Sequence, residues 1–244
     1  MKNLESIVAT GVTKDFGAHR ALDEVSFAIR PRCVTALLGP NGSGKTTMLR
    51  IALGLEKANK GEITILGVEY KDLTSPLFRV GAHLDSMTAH PGRSAFNHLW
   101  AIAVTHGIPR SRIAEVLEFV GLTHVARQNV GRFSLGMRQR LGIAGALLGD
   151  PDIFIFDEPT NGLDVEGIRW FRKLVRDLVA AGKTIIFSSH ILGEVEQIAD
   201  QIIVLGRGRI LFDGPLSELA PFRDGLEAAY SELVADSIEF ASGT

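Results

Sequence analysis

The sequence predicts an α/β protein built on a parallel sheet, with an antiparallel patch near the start and a helical insert in the middle. Three observations carry that expectation. Short apolar runs at residues 33–38, 153–156, 184–188 and 201–205 read as strands apolar on both faces. Helical patterns at residues 45–55, 166–181 and 192–199 separate them, the alternation that a parallel sheet with crossover helices requires. A glycine-rich loop joins the first of these strands to the first of these helices.

Taken from the N-terminus, residues 7–12, 25–29 and 62–66, with turn glycines such as Gly11 and Gly61, form the antiparallel patch. Residues 80–84 read as a further strand. From about residue 88 to 148 strand character is lost, and Ile113, Val116, Leu117 and Val120 recur at helical spacing. From Pro215 onward the chain reads as one or two amphipathic helices. With no internal repeat, low-complexity tract or linker, the expectation is one domain over 1–244: a core with its β subdomain at about 1–87 and 149–219, a helical subdomain at about 88–148, and a helical tail at about 220–244.

Composition narrows the function classes. A chain of 244 residues with 45% hydrophobic and 22% charged residues is an ordinary globular protein, not a disordered one. Its 26 Lys and Arg against 28 Asp and Glu leave a net charge of −2, without the positive excess of a phosphate-backbone binder, so no nucleic-acid partner is expected. Cys33 is the only cysteine, which excludes an intramolecular disulfide and a cysteine zinc cage and suits a reducing compartment. Cys33 itself is expected to be a small buried hydrophobe. The first ten residues lack a secretory-signal pattern, and no run of about 18 apolar residues occurs, so the chain is not expected to span a membrane.

The glycine-rich loop is Gly39-Pro40-Asn41-Gly42-Ser43-Gly44-Lys45-Thr46, followed by Thr47, and it matches the P-loop pattern G-x-x-x-x-G-K-[ST] between a strand and a helix. Backbone N–H groups must turn inward around phosphates there, which a Cβ would obstruct. Lys45 is expected on the outer phosphates, Thr46 on Mg²⁺, and the helix dipole favours the anion. A second anchor is the strand at 153–156 ending in Asp157-Glu158. At the carboxyl end of such a strand Asp157 is placed to hold Mg²⁺, and Glu158 to orient or deprotonate the attacking water.

At this point the residues resemble the ATP-binding subunit of ABC transporters, from about Ile7 to Leu219. Phe133-Ser134-Leu135-Gly136-Met137, followed by Arg138-Gln139-Arg140, is similar to the family's LSGGQ signature in its SLGMxQR form and keeps Ser134 and Gly136. Thr160-Asn161-Gly162-Leu163-Asp164 resembles the D-loop, and His190, after Phe187-Ser188-Ser189, resembles the switch histidine of the γ-phosphate. Phe16 occupies the place of the aromatic that stacks on adenine. The other six histidines, His83 among them, are read as surface or core residues. Where the family usually has Gln, after residues 80–84, this sequence has Asp85, a feature that resembles the antibiotic and lantibiotic exporter branch and implies a different contact with Mg²⁺ or its water.

The resemblance implies an ABC ATPase cassette with a P-loop NTPase, RecA-like parallel-sheet core, an antiparallel β subdomain and a helical subdomain insert. It implies ATP and Mg²⁺ as cofactors. Two copies, or this chain and a homologous ATPase subunit, would face each other head to tail, each ATP lying between one copy's P-loop and the other's Ser134 and Gly136. Hydrolysis would drive an integral membrane permease subunit from the cytoplasmic face of the membrane, with the chain a peripheral subunit. The alternative, a soluble ABC-type ATPase acting on ribosomes or DNA, usually carries tandem cassettes, a long coiled coil or a basic patch, features this sequence lacks.

Overall fold

The apolar run after Cys33 is a strand buried at every one of its five positions, which is what an interior parallel strand requires. In the computed structural model, which describes residues 5–84, 89–219 and 225–238, the strands are β1 (Ile7–Phe16), β2 (His19–Ile29), β3 (Val34–Leu38), β4 (Lys60–Ile65), β5 (Val80–His83), β6 (Ile153–Phe156), β7 (Thr184–Ser189), β8 (Gln201–Gly206) and β9 (Arg209–Pro215). The α-helices are α1 (Lys45–Ala52), α2 (Ala95–Thr105), α3 (Arg110–Phe119), α4 (Leu135–Leu147), α5 (Val165–Ala180), α6 (Leu192–Ile198), α7 (Leu216–Leu219) and α8 (Gly225–Ile238). The chain divides into two units, residues 1–73 with 184–244, and residues 74–183.

In the first unit β3 lies between β7 and β8, parallel to both, with Leu38 opposite Ser189 on one side and Val204 on the other. β9 returns antiparallel to β8 through Arg207 (φ 48°) and Gly208 (φ 74°). Left-handed backbone at both central residues suits a tight hairpin to the twist of its strands. β1, β2 and β4 form the antiparallel sheet anticipated from the sequence, in the order β2-β1-β4. Ile7, Ala9, Val12, Leu22, Val25, Phe27 and Ile63 supply its buried face. Cys33 corrects an expectation: it precedes the strand in a turn, is half-buried, and its thiol donates to the Arg30 carbonyl at 3.0 Å. Burial still pushes that thiol's pKa up.

In the second unit β5 and β6 pair in parallel, His83 opposite Phe156. Phe154 stacks on Phe156, and Phe156 meets Phe171 of α5 edge-on, both pairs 5.8 Å apart between centroids. Each such ring, fully buried, contributes about 1.5–3 kcal/mol of transfer free energy. α5 forms where the pattern requires: Phe171, Leu174, Val175 and Leu178 are the buried stripe, Asp164 caps the start, and Gly182 at φ 83° follows the end. The helical stretch expected near residues 88–148 contains α2, α3 and α4, with Ile113, Val116 and Leu117 on the buried face of α3. Among the described residues no helix is long and apolar enough to cross a membrane.

Candidate functional site

In the first unit the chain leaves β3 at Leu38, loops through residues 39–44 and enters α1 at Lys45. The loop has the shape its glycines were expected to permit. A Cβ on Gly39 would strike the Leu205 carbonyl oxygen and the Ser43 side chain. Gly44 holds φ 108°, a left-handed conformation, and a Cβ there would come within 2.7 Å of the Ala21 carbonyl oxygen and of Leu22. Gly44 has no side chain with which to cap α1, so the first turn of that helix offers its donors to the loop's concave side.

Lys45 is buried, and its ammonium donates to the carbonyls of Gly39 at 2.6 Å and Pro40 at 3.2 Å. Its charge is therefore already turned into the loop, where an arriving phosphate can exchange with those carbonyls. The Ser43 hydroxyl is buried and hydrogen-bonds nothing among the described residues. A buried hydroxyl without a partner costs about 1–3 kcal/mol, a debt that a phosphate oxygen would discharge. Asn41, Gly42 and Thr46 are exposed at the loop mouth, with Thr46 in the first turn of α1 and Thr47 behind it.

His190 is exposed directly after β7, and because Leu38 pairs with Ser189, it emerges beside the start of the phosphate loop. Phe16 ends β1, is 47% exposed and has the Lys14 ammonium 4.7 Å from its ring centre.

The second unit contains the acidic and the signature residues. Asp157 follows β6, is buried, and its N–H donates to the His83 carbonyl at 2.9 Å. Glu158 takes a left-handed φ of 48°, uncommon for a residue with a side chain. Left-handed backbone at a residue with a side chain is the kind of strain that clusters at working sites. Ser134 is the N-cap of α4, its hydroxyl accepting from the Met137 N–H at 3.2 Å. Asp164 caps α5 by accepting from Gly167 N–H at 2.7 Å. Gly136 packs against the loop of Gly162 and Leu163, where a Cβ would stand 3.1 Å from the Gly162 carbonyl oxygen. The signature and D-loop segments thus touch within one unit.

Asp85 lies outside the described residues. Among the described residues no three His, Cys, Asp or Glu side chains group to hold a metal. Mg²⁺ needs no such cage, since it keeps several waters and binds through one or two protein oxygens plus substrate phosphates. Thr46 and Asp157 offer that kind of hard oxygen donor.

His83, read from the sequence as a surface or core histidine, is buried and bonded to Gln139 of α4. A lone histidine within an apolar strand carries no motif, and only the three-dimensional pairing distinguishes it.

A family model described as ABC transporter matches residues 22–161. The bacitracin transport ATP-binding protein BcrA of Bacillus licheniformis is 40% identical over 216 residues, covering 87% of this chain and 71% of that protein. The lantibiotic transport ATP-binding protein SrtF of Streptococcus pyogenes is 38% identical over 200 residues, covering 82% and 86%. Among solved structures, the dimeric post-hydrolysis state of an ATP-binding cassette bound to ADP and phosphate matches with a TM-score of 0.79 at 26% identity, over 86% of this chain and 98% of that one.

Proposed function

The chain belongs to the ABC transporter family and is one of its ATP-binding, ATP-hydrolysing subunits, and from that premise we propose that it powers a separate membrane permease exporting an antibiotic, drug or other small amphiphilic molecule. The observation that carries the nucleotide site is the glycine-shaped loop with Lys45 turned inward and the Ser43 hydroxyl buried without a partner. The names of the bacitracin and lantibiotic relatives support the substrate class, and the acidic Asp85 agrees with them.

Each residue's part follows from its chemistry. The backbone of Gly39, Pro40, Asn41, Gly42, Ser43 and Gly44, with Lys45 and Thr47, holds the phosphates, and Phe16 stacks on the adenine. By the family resemblance Thr46, Asp157 and Asp85 are the side chains that would hold Mg²⁺ or its water, and the ion would offset charge on the phosphate oxygens. Glu158 orients the attacking water and accepts its proton, and His190 donates to the γ-phosphate. The Ser134 hydroxyl and the Gly136 N–H donate to the γ-phosphate of an ATP held by a second copy or a homologous subunit. ATP favours the paired state through that differential contact, and hydrolysis removes it.

The test is an affinity pull-down of the chain from detergent-solubilised membranes of its source cell, with partners identified by mass spectrometry. One polytopic membrane protein recovered near 1:1, whose presence makes ATP hydrolysis respond to a peptide antibiotic, is the expected result. Recovery of ribosomal or DNA-associated proteins without a membrane partner would overturn the transport reading.

A further inference from the structure

We infer that His83 is a positioning residue for ATP hydrolysis, tying the signature helix α4 to the strand ends from which Asp157 emerges. The inference rests on the reading that Ser134, at the N-terminus of α4, contacts nucleotide. Three contacts within the second unit meet at this one residue. Its carbonyl accepts the Asp157 N–H at 2.9 Å. Its ring Nε2 is hydrogen-bonded to the Gln139 side-chain oxygen, and since that oxygen can only accept, Nε2 carries the hydrogen. The ring also fills the space over Gly142, where a Cβ would collide with the imidazole Cε1 and Nδ1. Both partner positions lie on α4, three residues apart and so on one helical face.

His83 and Gln139 are each 4% exposed, so this directional polar bond is buried. Apolar contacts alone would let α4 slide or rotate against β5. A buried hydrogen bond favours one rotation, because any other breaks the bond between His83 and Gln139. Gln139 is five residues beyond Ser134 on a 13-residue helix, so a rotation permitted at Gln139 swings the Ser134 hydroxyl. A displacement of about 1 Å at a catalytic contact costs on the order of 100-fold in rate. The Gly142 vacancy shows that the helix surface matches the imidazole and not a smaller side chain.

The experiment compares steady-state ATPase kinetics and melting temperature of the full chain with those of His83→Leu, His83→Gln, Gly142→Ala, His83→Ala and the double variant His83→Ala with Gly142→Ala. His83→Leu is expected to lower kcat roughly 10- to 100-fold while KM for MgATP, set at the P-loop, changes less than about twofold. His83→Gln, whose amide N–H can reach the Gln139 oxygen, is expected to restore most of kcat. Gly142→Ala alone should lower kcat, and added to His83→Ala it should cost little more, the non-additivity that a shared contact produces. Retained kcat in a folded His83→Leu variant overturns the inference. So does a loss that tracks melting temperature across all variants, without rescue by Gln, since that marks a structural role only. Ser134→Asp separates the two levels: if it leaves kcat unchanged the signature reading fails, whereas if it abolishes kcat and His83→Leu does not, this inference alone fails.

Discussion

The phosphate loop of the first unit and the signature segment of the second are both built at the starts of helices, yet they are specified in opposite ways. At α1 the cap position is Gly44, without a side chain, and the loop's conformation excludes a Cβ at Gly39 and Gly44. The helix start is kept open for an anion. At α4 the cap is Ser134, and at α5 it is Asp164, each already accepting a backbone N–H in its own helix. Each of those helix starts thus has one N–H capped by a side chain without a ligand. A site of the first kind declares itself through backbone geometry, while one of the second kind has side chains whose observed role is capping and whose functional role is a proposal. Function at Ser134 therefore has to be separated from capping by experiment, whereas at Gly44 the two are the same constraint.

The largest effect belongs to chemistry that neither helix start performs. Glu158→Gln removes the group proposed to accept a proton from the attacking water and is expected to lower kcat by roughly 100- to 10,000-fold. MgATP binding should persist, and light scattering or sedimentation should show an ATP-trapped dimer. Hydrolysis at the parent rate would reassign the water-positioning residue. Next comes Gly44→Ala, which must hold a methyl-bearing residue at φ 108° with its Cβ 2.7 Å from the Ala21 carbonyl oxygen. Such strain is of order 1–3 kcal/mol, and relieving it means moving the loop, so nucleotide affinity measured by calorimetry should fall about 10-fold or more. An unchanged affinity would show that the loop is not kept open by its glycines.

The same contrast explains what was legible in advance. The P-loop could be read from residues 39–46 alone because each position has a local physical reason. The strands β3, β6, β7 and β8 were legible because burial on both faces writes a continuous apolar run. Ser134, Asp164 and His190 were singled out only through resemblance, since a serine or aspartate before a helix reads first as a cap. Cys33 was misread because its apolar neighbours suggested strand, while the pairing of β3 begins one residue later, at Val34 with Ile185. His83 was passed over because its meaning depends on Gln139 and Gly142, 56 and 59 residues away in sequence, and no local pattern records such a match.

Two substitutions at Ser134 divide capping from catalysis. Ser134→Ala removes the bond to Met137 N–H and should cost about 1 kcal/mol of stability in denaturant unfolding. Ser134→Asp keeps a cap of equal quality but sets a negative charge where a γ-phosphate is proposed to arrive, so stability should be retained while hydrolysis falls at least as far as in the alanine variant. Equal activity of the aspartate variant and the parent would leave Ser134 a cap and nothing more.

The smallest expected effect distinguishes the two units by acid sensitivity. In the first unit, hydrogen bonds from Arg209 and then from Arg20 hold the Asp23 carboxyl below its usual range. That contribution is present above the ordinary carboxylate pKa near 4 and is lost only as the pH falls through the depressed value. In the second unit His98 on α2 is half-buried, and desolvation, aided by the nearby Arg93 charge, holds its pKa below the ordinary value of about 6.5. A depressed histidine means that the unfolded chain binds the proton first, so stability is full above about 6.5 and falls as the pH drops toward the folded value. Melting temperature followed from pH 8 to pH 5.5 should therefore decline in the parent and decline less in His98→Asn. Parallel curves for the two proteins would remove His98 as the source and leave the carboxylates of the first unit to account for acid loss at lower pH.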